Sequence, residues 1–155
     1  MVKTRSTASQ TYERVKTSFS LQELPGIKSS FNAICLHNKN GADIYIYPGF
    51  LVMFNSEENF GILELNKIDI LFSETNFIES EQRPSDSVIV KYVWEKANKN
   101  GSRDKRFADN RQLPVMKYGE ITLFKRGAIH EKYMLSNSKK ADEFVDNLNK
   151  FTLSI

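Results

Sequence analysis

The chain has 155 residues, 40% of them hydrophobic, with eleven Phe and six Tyr, a composition that packs a core and excludes a disordered chain. Its net charge is only +3, and its one cysteine, Cys35, excludes an internal disulfide and a zinc cluster built on cysteines. The longest unbroken apolar run, Phe50 to Phe54, falls far short of the roughly 20 residues a bilayer requires.

Residues 1–30 read as a tail. The first ten are basic and hydroxylated, a solvated segment without the apolar centre of a secretory signal. Tyr12, Val15, Phe19 and Leu24 suggest a short helix face, broken by Pro25-Gly26. Residues 31–155 then form one domain. Phe31 to Leu36 and Ile44 to Tyr47 are strand-like, and Asn40-Gly41 between them signals a tight hairpin turn of positive φ. Cys35, between Ile34 and Leu36, reads as a small core hydrophobe, which suits a reducing, cytoplasmic setting.

Pro48-Gly49 turns the chain into a strand from Phe50, whose unbroken apolar content predicts cover on both faces. Further strands are expected over Phe60–Leu65 and Ile68–Phe72, then a solvent-facing loop from Glu79 to Ser87. Ser87–Glu95 is β-branched and aromatic, a strand. Leu113–Tyr118 and Glu120–Phe124 are two strands, or one kinked at Gly119, and His130–Leu135 is the last. Ala141, Phe144, Val145, Leu148 and Phe151 then fall on one stripe of a helix, with Ser136, Asn137 and Ser138 as candidate caps.

About seven antiparallel strands followed by one amphipathic helix make a β-rich α+β chain. Ile44-Tyr45-Ile46-Tyr47-Pro48-Gly49-Phe50-Leu51-Val52, followed by Gly61-Ile62-Leu63-Glu64-Leu65-Asn66-Lys67-Ile68-Asp69-Ile70, resembles the opening of the pleckstrin-homology and GRAM domains. That resemblance implies a partial β-barrel with the C-terminal helix across one open end. The run Asn98-Lys99-x-Gly101-x-x-Asp104-x-Arg106-Phe107-x-x-Asn110-x-x-x-Pro114-Val115-x-x-Tyr118-Gly119 is similar to one in uncharacterised bacterial proteins, where it is joined to different neighbours. It implies an accessory module and no reaction.

The charge gathers in one loop. Residues 96–111 hold six basic side chains against Asp104 and Asp109, more positive charge than the whole chain carries net. Two roles divide it. Lys99, Arg103 and Lys105, beside Trp94, form an exposed edge for a ligand or partner. Asp104, Arg106, Asp109, Asn110, Arg111 and Tyr118 satisfy one another and hold the loop's shape.

Catalytic signatures are absent from the sequence. His37 and His130 stand apart, and no Walker loop, nucleophile elbow or H-E-x-x-H is present. Glu64, Lys67 and Asp69 only imitate a nuclease-like pairing. The expectation is a non-enzymatic interaction module with no cofactor and no metal, binding a protein partner at a sheet edge or beside the C-terminal helix. The alternative is nucleic acid or another polyanion on the loop. A phosphoinositide or membrane ligand is not expected, because the first hairpin offers only His37 and Lys39 and the next turn is acidic. Oligomeric state is left open.

Overall fold

The computed structural model describes residues 15–154. Among the described residues, nine strands and one α-helix follow in order, in two antiparallel sheets. The first is a five-stranded meander of β1 (Phe19–Gln22), β2 (Ala33–Leu36), β3 (Asp43–Tyr47), β4 (Phe50–Ser56) and β5 (Asn59–Glu64). The second has the order β6 (Asp69–Ile78), β8 (Gln112–Lys125), β7 (Val88–Trp94), with β9 (Ile129–Leu135) also pairing β8. Helix α1 spans Ser138–Leu153. The β-rich class and the C-terminal helix are as expected, with more strands. No described pairing joins β1 to β5, so the first sheet is open and not a closed barrel.

Backbone contacts divide the chain into two compact units. One gathers the described residues up to Ile70 with Leu123–His130 and the chain from Asn147 onward; the other holds Leu71–Thr122 and Glu131–Asp146. In the first unit, residues 19–22 of the expected tail are strand β1, paired with β2 in the register Ser20 with Cys35 and Gln22 with Ala33. The helical reading of this segment fails where it is described, because the backbone of Phe19–Gln22 is extended and pairs residue for residue with Ala33–Leu36. Tyr12 and the first ten residues lie outside the described residues.

One face of this sheet packs Leu24, Ala33, Cys35, Tyr45, Tyr47 and Val52, with Ile27, Phe50 and Phe54 partly buried against them. The Tyr47 and Phe50 rings stack at 5.1 Å, and the Tyr47 hydroxyl accepts the Leu24 N–H at 3.0 Å. Ile44, Ile46 and Leu51 are buried on the opposite face, so β4 is covered on both sides as its apolar run implies. Gly49 has φ +87° after Pro48, the third-residue conformation that a type II turn reserves for glycine.

The β2–β3 hairpin forms, by a different device from the expected one. Six residues, 37–42, connect the strands, and Gly41 does not have a positive φ. Side chains close the loop instead: Asp43 Oδ1 accepts the Asn38 N–H at 2.8 Å, and Asn38 Oδ1 accepts the Asn40 N–H at 3.0 Å. The second is an Asx turn and the first ties the two ends of the loop, each using a short polar side chain in place of a backbone acceptor.

In the second unit, β8 runs unbroken through Gly119. The glycine is there for closeness. A Cβ at 119 would lie 2.4 Å from the Ala141 Cβ and 3.1 Å from the Ser138 Cα, so the first turn of α1 sits on bare backbone. Asn137 supplies the helix cap, its Oδ1 accepting the Lys140 N–H at 3.0 Å. Along α1, Ala141, Val145 and Leu148 are buried and Phe144 partly so, but Phe151 is 42% exposed and leaves the stripe. The segment after β6 departs from its solvated reading: Glu79 is 3% exposed, and its Oε2 accepts the Tyr118 hydroxyl at 2.9 Å.

Candidate functional site

The charged loop is built on a short antiparallel closure. Glu95 N–H donates to Arg111 O, Asp104 N–H to Lys96 O, and Ala97 bridges Arg103. Asn110 locks it: its Oδ1 accepts the Lys96 N–H at 2.9 Å, and its Nδ2 donates to Lys96 O at 2.6 Å and to Asp104 O at 3.3 Å. One amide side chain thereby serves both directions of backbone polarity.

The Asp104 carboxylate is only 7% exposed and is capped by Arg106, which is 81% exposed. The guanidinium donates to both carboxylate oxygens, Nη2 to Oδ2 at 2.6 Å and Nε to Oδ1 at 2.9 Å. These side-chain bonds, with the Arg106 N–H, hold Asp104 below the usual carboxylate range, and the same pairing raises Arg106.

Of the residues assigned to the loop's framework, Asp104, Arg106 and Asn110 come together. Arg111 turns outward to pair with Glu95 at 2.9 Å. Asp109 is exposed and takes no part in a described hydrogen bond or ion pair. Tyr118 lies in β8, stacked on Phe77 and bonded to Glu79.

The residues assigned to the exposed edge also separate. Arg103 lies over the half-buried Trp94, 5.4 Å from the ring centroid, and donates to Ala108 O, so it belongs to the framework as well. Lys99 and Lys105 are exposed and without a described partner. An open depression of about 570 Å³ is lined by Asn98, Ser102, Arg103, Asp104, Lys105 and Arg106. Lys96 is exposed as well and lies 6.0 Å from the Phe107 ring centroid.

A second polar cluster, in the other unit, combines residues that sequence reading kept apart. His37 follows β2 and Asp43 opens β3, so the Leu36–Ile44 register sets them opposite each other. His37 Nδ1 faces Asp43 Oδ2 at 3.3 Å and Cys35 Sγ at 3.7 Å, while Nε2 lies 3.2 Å from Ser20 Oγ. Thr17 Oγ1 donates to the His37 carbonyl. Burial pushes the Cys35 thiol up, against hydrogen bonds from Tyr45, Gln22 and Ser20 that lower it. Tyr45 is raised by the same burial, and the Gln22 amide donates to its hydroxyl at 3.1 Å.

Cys-x-His on one strand face, opposite an Asp across a short hairpin, was the signal for this cluster. His130, by contrast, only meets the edge of Phe124, at 5.3 Å. Glu64 pairs with Lys67 at 2.8 Å on the exposed surface, which lowers Glu64, while Asp69 is exposed.

The sheet edges complete the candidate surfaces. β7 has β8 on its inner side and no described strand on the other. Val88, Val90 and Tyr92 are 62%, 47% and 56% exposed along it. The register shift between Ile89 and Lys91 re-aims the strand, setting Val88 beside Lys117 and Tyr92 beside Pro114. Comparison with family models, with curated proteins and with solved structures returns no match.

Proposed function

We propose that this chain is a non-catalytic, pleckstrin-homology-like interaction module that takes an extended segment of a partner protein as an added strand along β7. The observation that carries the reading is the β7 edge, which no described strand covers, with Val88, Val90 and Tyr92 exposed along it. Free backbone groups on such an edge supply affinity, and alternate side chains supply selection. The order of elements, antiparallel strands and then one C-terminal helix, is what supports the fold-family part of the reading.

The partner's chemistry follows from the edge's neighbours. Lys91 lies within β7, and the strand leads through Trp94 into the loop bearing Lys99 and Lys105. An apolar segment with interspersed acids complements that surface. Polyanion binding on the loop is the weaker alternative, because Arg103, Arg106 and Arg111 already have partners inside it.

The test is a titration of short extended peptides, alternating apolar with acidic residues, into the purified chain. Tyr92→Glu is expected to weaken binding at least ten-fold with an unchanged thermal midpoint, since an added carboxylate meets both the apolar contact and the acidic ligand. Binding that survives Tyr92→Glu and Val88→Glu alike contradicts the edge. Binding of mixed DNA or RNA with a steep salt slope, and none of peptide, establishes the alternative.

A further inference from the structure

The three donors at the base of the β2–β3 hairpin point to a divalent metal site. We infer that Cys35 Sγ, His37 Nδ1 and Asp43 Oδ2 bind one zinc-class ion. The inference is independent of the β7 reading and uses none of its residues.

Geometry makes the first argument. Zinc bonds of about 2.3 Å to sulfur, about 2.05 Å to nitrogen and about 2.0 Å to oxygen, at tetrahedral angles, separate S from N by about 3.6 Å and N from O by about 3.3 Å. The protein holds Sγ and Nδ1 at 3.7 Å, and Nδ1 and Oδ2 at 3.3 Å. The three donors lie within 4.8 Å of one another, so a shift of about 1.3 Å at most closes the third edge, which requires about 3.5 Å. The Asp43 side chain, 32% exposed, has room to make it.

The groups behind the donors make the second argument, because ligands are held by partners of their own. Ser20 Oγ lies on His37 Nε2 and can accept its proton, which leaves the Nδ1 lone pair facing the carboxylate and the sulfur. Asn38 N–H holds Asp43 by its other oxygen. His37 is 34% exposed, so an ion can reach the cluster from that side.

A thiolate, an imidazole and a carboxylate select zinc, or cobalt as its spectroscopic substitute, over the all-oxygen preferences of magnesium and calcium. The experiment is a titration of the full chain, stripped with chelator and kept reduced, with Co²⁺. The expected result is a thiolate-to-cobalt charge-transfer band with intense four-coordinate visible bands, saturating at one equivalent and abolished by excess Zn²⁺. Cys35→Ser is expected to remove the charge-transfer band. His37→Gln and Asp43→Asn are expected to weaken binding at least ten-fold. His37 is partly exposed, so His37→Gln decides the matter if Cys35→Ser fails to fold by circular dichroism. A weak six-coordinate spectrum without charge transfer, or binding unchanged in His37→Gln, overturns the site.

Discussion

The loop at 96–111 and the hairpin at 35–43 are both polar clusters, and they differ in how their hydrogen bonding balances. In the loop, acceptors and donors match: Asp104 takes the Arg106 guanidinium and Asn110 takes backbone of both polarities. In the hairpin, a sulfur and a carboxylate oxygen converge on one histidine nitrogen, three electron-pair donors in all. Density of charge therefore marks a scaffold here, and convergence of unlike donors marks a site. The buried carboxylate of the loop lies low because its counter-charge is built in. Among the described residues, Asp43 of the hairpin pairs with His37 and with no arginine or lysine.

The comparison breaks most readily at Asn110. If the loop is a closed scaffold, Asn110→Ala strips one acceptor from an N–H and two donors from carbonyls, and is expected to cost about 1–3 kcal/mol in denaturant unfolding. No loss of stability would mean that the loop is held by something else. The hairpin cluster, which shares no hydrogen bond with Asn110, should respond to metal and not to this change.

A smaller effect sharpens the electrostatic half. Asp104 has a lower pKa folded than unfolded, so its contribution is fully present above the ordinary value of about 3.9 and is lost as pH falls through the folded value. Asp104→Asn is expected to be less stable than the wild type at neutral pH, with the two curves converging in acid below about pH 3.9. Parallel curves across that range would show that the Arg106 pairing does not set the acid dependence.

Much of the fold was legible because it rests on local alternation. Val88 to Trp94 and the β2–β3 and β3–β4 hairpins follow from apolar runs punctuated by Asn, Pro and Gly. β1 was not legible: four residues at a sheet edge carry too little pattern to compete with a helical reading of Val15 and Phe19. Glu79 was missed because an acid after a strand reads as a turn residue, and only the Tyr118 hydroxyl across the sheet explains its burial. In the loop, Asp104, Arg106 and Asn110 were legible as a group, but the choice of Glu95 over Asp109 by Arg111 depends on strand pairing. The hairpin cluster was hidden by reading Cys35 and His37 one at a time; register, which sets Asp43 beside them, is a property of pairs.

Amide hydrogen exchange, with and without one equivalent of Zn²⁺, tests the contrast between the two regions most directly. Slowed exchange confined to residues 33–47, with residues 96–111 unchanged, is the result expected of a closed loop and an ion-binding hairpin. Protection that appears in 96–111, or none in 33–47, contradicts it.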